Sequence, residues 1–219
     1  MNQEIDLMRL YPKGKSRHGL RPSITEADRE ISRRFDFDYF DGDRRHGYGG
    51  SRYNPVFWTE TVKLFRDHYG LAEDARILDV GCAKGFMLAD FRKLMPPARL
   101  AGIDISSYAI DHAEPSVKDC VRQASAHEIP FPDKSFDLVI SINTIHNLER
   151  PLAVQALREV QRVSKKDAFV MVDGWHNDEE KRLMYEWVLT AKTMMHVDEW
   201  KQVFREAGYQ GDYWFWVVT

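Results

Sequence analysis

Cysteine is scarce in this sequence, since only Cys82 and Cys120 occur among 219 residues. Two cysteines cannot form the set of bridges that stabilises many small secreted domains, and they cannot supply a cysteine-based zinc cluster. A chain of this length can instead bury a sizeable apolar core without cross-links. We therefore expect one domain with no metal site.

Long apolar runs and a large excess of one charge are missing as well. No run approaches the ~20 apolar residues that a membrane-spanning helix needs, and the first residues lack the apolar centre of a signal peptide. The formal net charge of −3 gives no basic field for binding phosphates. We therefore expect a cytoplasmic protein with no membrane contact and no nucleic-acid partner. The basic residues within 13–21 are interpreted as part of a solvated arm.

The most informative stretch is residues 76–88, which predicts a short buried strand that ends at glycine and leads straight into a helix. Its first half is apolar and β-branched, and apolar residues return at helical spacing in its second half. Between them, Gly81 and Gly85 let the backbone approach a ligand, and the new helix directs its free N–H groups toward the same space. This pattern is typical of a nucleotide site. Phe86 occupies the position at which a dinucleotide fingerprint needs a small residue, which argues against a nicotinamide cofactor.

Residues 79–85, with the sequence DVGCAKG, resemble motif I of the class I S-adenosylmethionine-dependent methyltransferases. Ala83 stands where that motif has its middle glycine, so a left-handed backbone there would carry strain. Further along, residues 130–139, PFPDKSFDLV, are similar to the P-F-x-D-x-x-F-D-x-V pattern of the methyltransferase type 11-like subgroup. The resemblance covers about residues 76–173. It implies S-adenosylmethionine as the cofactor and S-adenosylhomocysteine as the product.

The resemblance also assigns residues to the cofactor. Asp104, at the end of the second predicted strand, matches the acid that accepts hydrogen bonds from both ribose hydroxyls, and a carboxylate at that end of a parallel strand faces the ligand crevice. Ile105 would cover one face of the adenine, while Ser125 and Ala126 would serve its edge. The predicted cofactor-binding residues are Asp79, Gly81, Cys82, Ala83, Gly85, Asp104, Ile105, Ser125, Ala126 and Asn143.

An aromatic and glycine-rich segment, residues 35–53, precedes the predicted core. It is too apolar for a free linker and too rich in glycine for a regular element, so we interpret it as a lid. Aromatic side chains from this lid and from the end of the fifth predicted strand could wall the acceptor pocket and exclude water. The predicted substrate-pocket residues are Tyr39, His46, Tyr48, Tyr53, Trp175 and His176.

Residues 143–148 follow the fourth predicted strand, where class I methyltransferases present residues to the methyl-accepting atom. They lack the N-P-P-Y signature of many enzymes that methylate planar nitrogens of nucleic acids or glutamine amides. Asn143 and His146 are the predicted catalytic residues. The ordinary pKa of histidine lies near neutral pH, so His146 could act as a general base toward an amine or a hydroxyl. Alternatively, His146 packs under the lid and donates one hydrogen bond.

Strand-like and helix-like segments alternate through the predicted core. This alternation predicts an α/β, Rossmann-like, doubly wound and mostly parallel sheet of six to seven strands with helices on both faces. We divide the single domain into an arm and lid over residues 1–53, a cofactor-binding core over 54–173, and C-terminal helices with a closing strand over 174–219. Class I methyltransferases usually end with two strands, the last antiparallel, but only one is legible here, near residues 213–218.

These expectations together describe an enzyme that transfers a methyl group from S-adenosylmethionine to a nitrogen or oxygen atom of a small-molecule acceptor. Two alternatives stay open. A catalytically silent protein could bind the same cofactor as a sensor or scaffold, which the departures at Ala83 and Ser125 permit. A nicotinamide-dependent oxidoreductase is the other alternative, and Phe86 opposes it. The sequence specifies neither the acceptor nor the oligomeric state.

Overall fold

A seven-stranded sheet lies at the centre of the computed structural model, which describes residues 3–12, 23–49 and 51–218. The basic patch within 13–21 therefore lies outside the described residues. The strands are β1 Arg76–Val80, β2 Arg99–Asp104, β3 Val121–Gln123, β4 Phe136–Ile142, β5 Ser164–Trp175, β6 Met195–His196 and β7 Asp212–Trp216. They run in the order β3-β2-β1-β4-β5, and β6 and β7 both pair with β5. The predicted doubly wound sheet is confirmed, and every strand pair in the described residues is parallel.

Eight helices and one 3-10 turn connect the strands of the described chain. The helices are α1 Glu26–Ser32, α2 Phe37–Phe40, α3 Pro55–Tyr69, α4 Phe86–Leu94, α5 Ser107–Asp111, α6 Arg150–Val163, α7 Asp178–Trp187 and α8 Val197–Ala207, and the 3-10 turn is Ile145–Asn147. Local sequence explains their ends. Asn54 caps α3 by accepting a hydrogen bond from the N–H of Val56, and Gly70 ends the same helix in the left-handed conformation.

Apolar side chains on the two faces of the sheet form two separate core layers. Adjacent residues of one strand alternate between the layers, so Ile77 packs against α3 and α4 whereas Leu78 packs against α6 and α8. The same alternation separates Leu138 from Val139. With both faces covered, the carboxyl ends of the parallel strands are left as the edge on which a ligand can bind.

The C-terminal strands differ from the pattern expected of the family. β6 has only two residues, and β7 runs parallel to β5 rather than antiparallel. The outer side of β7 is partly covered by the N-terminal segment, because Ile5 N donates to Tyr213 O and Tyr213 N donates to Gln3 O, each at 2.9 Å. The first described residues therefore occupy part of the edge at which an antiparallel strand would lie.

Two element boundaries depart from the sequence expectation for reasons visible in the contacts. The spacing of apolar residues over 179–192 predicts a helix, but the helix ends at Trp187, because Leu189 N donates to the hydroxyl of Tyr48 and Lys192 N donates to His146 O. The sequence also predicts a third strand over residues 117–123, but this strand begins at Val121. Val117 instead lies in a turn in which its N–H donates to Glu114 O.

Candidate active site

The predicted glycine turn lies between β1 and α4 and is held against β2. Gly81 N and Cys82 N both donate to Ile103 O, at 2.7 and 3.0 Å. Gly81, Ala83 and Gly85 all have positive φ, with values of 84°, 48° and 75°. The strain expected at Ala83 is therefore present, and the hydrogen bond from Ala83 N to Asp104 at 2.8 Å holds the backbone in this conformation.

Gly81 approaches the end of β4 too closely for any side chain. A Cβ atom at this position would lie 1.9 Å from the Thr144 hydroxyl oxygen. The absence of a side chain thus brings the glycine turn and the segment after β4 into direct contact. The sequence analysis did not single out Thr144. Its position directly after Asn143, at the end of a strand next to β1, is the signal that could have identified it.

Asp104 and Ile105 form the β2 side of the site. The two carboxylate oxygens of Asp104 accept hydrogen bonds from Ala83 N and Ser106 N, at 2.8 and 2.9 Å. Burial raises the pKa of Asp104, although these backbone donors oppose the shift. Ile105 beside it is 54% exposed, so its apolar side chain is accessible to a ligand. This pairing fits a ribose at the carboxylate and an adenine against the isoleucine.

Asp79 and Cys82 lie beneath the turn and are both buried. Burial, with the nearby Asp104 as a second cause, raises the pKa of Asp79 to about 8. Burial likewise raises the pKa of the Cys82 thiol, so this cysteine is a packing residue with little nucleophilic character. Both residues therefore support the turn from below.

Ser125 and Ala126, which the sequence predicts to serve the adenine edge, follow shortly after the end of β3. Ala124 N donates to Asp104 O at 2.9 Å, which brings this segment to the end of β2. The Ser125 hydroxyl lies 2.6 Å from Nδ1 of His127, and Ala126 is buried. His127 was not predicted, and its ring fixes the direction of the hydroxyl at this edge.

Asn143 lies at the exposed end of β4 with an unusual backbone. Its φ is 54°, and its N–H donates to Met171 O at 2.9 Å, which ties the end of β4 to β5. Asn147 returns a hydrogen bond to Asn143 O from its side-chain amide at 3.1 Å. Asn and Gly are the residues that best tolerate a left-handed backbone, which explains the residue type at this turn.

The side chain of His146 is buried, and both of its ring nitrogens face Asp173. It is 3% exposed, and its Nδ1 accepts a hydrogen bond from the backbone N–H of Asp173 at 2.9 Å. Since an N–H donates to it, Nδ1 carries a lone pair and the ring proton is on Nε2, which lies 3.6 Å from the Asp173 carboxylate. Burial lowers the pKa of His146, and Asp173 opposes that shift. This geometry leaves neither ring nitrogen available to take a proton from an acceptor.

The lid covers the glycine turn, and one buried ion pair fastens it there. Lys84 of the turn is 5% exposed, and its ammonium donates to both carboxylate oxygens of Asp41 in the lid, at 2.7 and 2.6 Å. The same ammonium donates to Ser51 O at 3.1 Å, and the Tyr108 hydroxyl donates to Asp41. The Ser106 hydroxyl also donates to Phe35 O. Nearby Arg44 and Arg45 were the partners that local sequence suggested for the aspartates of this segment, whereas Asp41 pairs with Lys84, 43 residues away.

The six predicted pocket residues do not form one wall. Tyr39 and Tyr48 do lie together, with ring centroids 6.1 Å apart, and Tyr48 also packs against Trp187 at 5.8 Å. A glycine allows this arrangement, because a Cβ at Gly47 would lie 2.1 Å from the carbonyl oxygen of Tyr39. The part of the lid that meets the loop after α7 is therefore an aromatic cluster.

The other four residues face different parts of the structure. His46 contacts Asp28 of α1, at 3.2 Å. Tyr53 donates to Asp90 of α4 at 3.0 Å, outside the lid cluster. The other two belong to the α7 region: Trp175 is buried against α7, and His176 is exposed and contacts Glu180 at 3.0 Å.

No group of three or more side chains is placed to hold a metal ion in the described residues, 3–12, 23–49 and 51–218. None of the helices within those same ranges is both long enough and apolar enough to cross a bilayer.

Residues 78–172 match the family model described as a methyltransferase domain. The match begins in β1 and ends in β5, so it contains the glycine turn, Asp104 and the end of β4. This stretch is similar to a methyltransferase domain and makes up somewhat less than half of the chain. Such a domain implies S-adenosylmethionine as the cofactor, and the residues fit that group, since exposed Ile105 and the partly exposed Asp104 flank a turn with three positive φ values.

Known relatives share the methyltransferase core. An uncharacterized methyltransferase of Schizosaccharomyces pombe is 34% identical over 51% of this chain and 43% of its own length. The malonyl-[acyl-carrier protein] O-methyltransferase of Legionella pneumophila is 30% identical over 57% of this chain and 44% of its own. The chain thus spans about half the length of the curated relatives that it matches. The crystal structure of YcgJ from Bacillus subtilis has a TM-score of 0.54 at 21% identity, covers 67% of this chain and 66% of its own, and supports the fold alone.

Proposed function

We propose that this protein transfers the methyl group of S-adenosylmethionine to an oxygen or nitrogen atom of a small-molecule acceptor. One observation carries the proposal: the glycine turn, Asp104, exposed Ile105 and the end of β4 converge at the carboxyl edge of the sheet, beneath a lid fastened to the turn. The name of the Legionella relative, an O-methyltransferase, supports oxygen as one acceptor atom. A cytoplasmic location and a three-part division of the chain remain predictions from the sequence.

Each group has a proposed part in holding the cofactor. Asp104 accepts hydrogen bonds from the ribose, Ile105 covers the adenine, and the turn from Gly81 to Gly85 receives the methionine part. Ser125 and Ala126 serve the adenine edge, while Asp79 and Cys82 support the turn. When bound, the cofactor supplies an electrophilic methyl group on a positively charged sulfur. The residues of this chain contribute alignment of the acceptor and exclusion of water, which are the main needs of an in-line displacement.

We further propose that His146 positions the site and does not act as its base. The imidazole of His146 accepts a hydrogen bond from the N–H of Asp173 and so joins the turn after β4 to β5. The backbone carbonyl oxygen of His146 accepts hydrogen bonds from Lys192 N and Thr193 N. These contacts hold the backbone of Asn143 and Thr144 in place against Gly81. Tyr39 and Tyr48 then bound the acceptor space from the lid side.

A silent cofactor-binding protein is the second candidate, and the locked His146 is the observation that favours it. A sensor or scaffold would bind the cofactor under the lid without presenting any acceptor. The nicotinamide-dependent alternative is not retained, because the family match assigns the turn to a methyltransferase domain.

Titration calorimetry with S-adenosylhomocysteine, followed by a mass-shift screen of acids, amines, sugars and phenols with S-adenosylmethionine, tests the function. We expect binding by the wild type, at least tenfold weaker binding by Asp104→Asn, and unchanged binding by the exposed control Asp111→Asn on α5. Binding with no turnover of any acceptor class favours the silent candidate. If the protein fails to bind S-adenosylhomocysteine, both candidates are refuted.

A further inference from the structure

Asp173 carries a buried carboxylate to which no described residue donates a hydrogen bond. The residue is 6% exposed, and Nε2 of His146 lies 3.6 Å from its oxygen Oδ2, which is too long for a hydrogen bond. Among the described residues, the fully enclosed side-chain atoms without a partner belong to Arg33, Asp90 and Asn147. The oxygens of Asp173 are not enclosed in this way, and its side chain keeps 9% of its surface exposed. A donor group of a ligand would satisfy this carboxylate.

The backbone of Asp173 is held from three sides. Its N–H donates to Nδ1 of His146, and its carbonyl oxygen accepts a hydrogen bond from the indole N–H of Trp200 on α8, each at 2.9 Å. The residue is also paired with Trp216 in the ladder between β5 and β7. A side chain on so constrained a backbone has a fixed origin, which is what a group acting on a bound ligand requires.

The strand register places Asp173 at the carboxyl edge of the sheet, on the same face as Asp79. Asp79 of β1 is paired with Ile140 of β4, which is paired with Phe169 of β5, so these three residues share a face. Asp173 lies four residues beyond Phe169 and therefore faces the same way. Neighbouring strands lie about 4.8 Å apart, so β5 is about 10 Å from β1. Since reacting atoms approach to about 3–3.5 Å, a methyl group and its acceptor fit between the glycine turn and Asp173.

The segment after β4 connects Asp173 with the glycine turn. Thr144 lies against Gly81, where a Cβ would be 1.9 Å from the threonine hydroxyl oxygen. Two residues later, the ring of His146 accepts the hydrogen bond from the N–H of Asp173. Contacts therefore run from the turn that is proposed to hold the methionine part, through residues 144–146, to the carboxylate on β5.

The surroundings of Asp173 make it a stronger base than an exposed aspartate. Burial raises the pKa of Asp173, and His146 opposes the shift. Burial lowers the pKa of His146, so the ring is uncharged near neutral pH and supplies no counter-charge. Among the described residues, no other titratable side chain acts on Asp173, and its neighbours Trp200 and Trp216 are uncharged. A carboxylate in such a place accepts a proton more readily.

We propose that Asp173 is the catalytic base of methyl transfer and that the acceptor carries a proton on its attacking atom, as a neutral alcohol, phenol or amine does. The carboxylate accepts the hydrogen bond of that O–H or N–H. The acceptor atom forms the new bond to the methyl carbon, the methyl–sulfur bond breaks with its electron pair going to sulfur, and the proton passes to Asp173. The carboxylate and the positive sulfur both become neutral, and Asp173 then releases the proton to water. This inference rests on the proposed function.

Asp173→Asn provides the main test, because the amide keeps the shape of the carboxyl and takes no proton. Wild type and variant are compared on sugars, phenols, amines and carboxylic acids with S-adenosylmethionine, by mass shift and then by rate against pH. We expect the wild type to methylate a hydroxyl or an amine, and the variant to lose about 10²–10⁴-fold in kcat. The wild-type rate should fall at low pH as Asp173 gains its proton, and the variant should lack this fall. Affinity for S-adenosylhomocysteine should stay within about threefold.

Two further variants and one spectroscopic measurement accompany this test. Asp178→Asn, at the exposed start of α7, is the matched control and should keep the wild-type rate. Asp173→Ser also removes the carboxyl and is used should Asp173→Asn fail to fold. NMR of protein labelled with isotope-enriched aspartate follows the Asp173 carboxyl without any acceptor, and its signal is identified by its absence from the variant. We expect this carboxyl to titrate well above the ordinary value of about 3.9.

The outcomes separate this inference from the proposed function. Turnover by Asp173→Asn within tenfold of the wild type, methylation of carboxylic acids alone, or titration of Asp173 at or below its ordinary pKa would overturn the catalytic base while leaving methyl transfer in place. A wild type that binds S-adenosylhomocysteine and methylates no acceptor overturns the base as well, and favours the silent candidate. If S-adenosylhomocysteine does not bind, the proposed function itself fails.

Discussion

The ammonium of Lys84 lies 2.7 and 2.6 Å from the two carboxylate oxygens of Asp41, so the glycine turn is bonded directly to the lid that covers it. Lys84 is nearly inaccessible, whereas the Asp41 side chain keeps 24% of its surface exposed. Hydrogen bonds from Lys84 and Tyr108 lower the pKa of Asp41 against the opposing effect of burial. These hydrogen bonds therefore favour the charged form of Asp41.

Asp41→Asn is expected to destabilise the protein, because it leaves a buried ammonium without its counter-charge. The loss is about 2 kcal/mol in the free energy of unfolding, less than for a fully buried pair, since Asp41 is partly hydrated. Urea denaturation measures this loss, and limited proteolysis should show faster cleavage within residues 35–49. Asp38→Asn, at an exposed position in α2, is the control. Equal stability of the two variants would show that the ion pair does not fasten the lid.

Asp79 gives the protein a pH dependence of a definite sign. Its pKa is about 8 in the folded state and about 3.9 in an unfolded chain, so between these values the unfolded state binds fewer protons. The stabilisation from Asp79 is complete below the unfolded pKa and is lost as the pH rises through about 8. Asp79→Asn should therefore gain stability relative to the wild type between pH 5 and pH 8, by about 3–4 kcal/mol. Urea unfolding at both pH values tests this.

Asp111→Asn, exposed on α5, provides the reference for the Asp79 comparison, because it removes one carboxylate that stays hydrated in both states. If the unfolding free energies of Asp79→Asn and Asp111→Asn change in parallel from pH 5 to pH 8, the buried carboxyl of Asp79 does not have the raised pKa. The difference between the two variants in unfolding free energy isolates the contribution of the Asp79 carboxyl.

Two substitutions of His146 separate a positioning role from a general base. His146→Ala leaves the N–H of Asp173 without an acceptor and opens a cavity, which should cost about 2–4 kcal/mol of unfolding free energy. In His146→Asn, the side-chain oxygen replaces Nδ1 as acceptor and should recover part of that loss. For a positioning residue, methyl transfer by folded His146→Asn stays within about tenfold of the wild-type rate, whereas loss of a general base costs about 10²–10⁴-fold. A loss of the latter size at neutral pH, which shrinks at pH values low enough to protonate the histidine of the wild type, would restore the base hypothesis.

Ile105 is 54% exposed, and we predict that its side chain contacts the adenine rather than the core. Ile105→Ala should weaken S-adenosylhomocysteine binding about five- to tenfold, because it removes apolar contact with the adenine. The free energy of unfolding should change by less than about 0.5 kcal/mol. Leu152→Ala on α6, another exposed apolar position, should change neither quantity. Unchanged affinity in calorimetry would remove Ile105 from the cofactor site.

Local sequence was sufficient for most of the elements and for the position of Asp104 and Ile105 at the carboxyl edge of the sheet. The residues of β1, the cap at Asn54 and the left-handed end at Gly70 follow from patterns within a few residues, and the structure contains each of them. Asp104 and Ile105 were identifiable because the ends of neighbouring parallel strands must meet at one edge. The strain at Ala83 followed from the residue type alone.

Partners distant in sequence could be decided only by the tertiary structure. Asp41 meets Lys84 across 43 residues, and His146 meets Asp173 across 27, and no local pattern encodes either pairing. The aromatic residues illustrate the same limit, because Tyr48 joins the lid cluster while Tyr53 turns toward α4. Sequence determines which side chains are able to bind, bury or titrate. The packing of the lid against the sheet edge decides which of them meet, since burial and hydrogen-bond partners are properties of the folded chain as a whole.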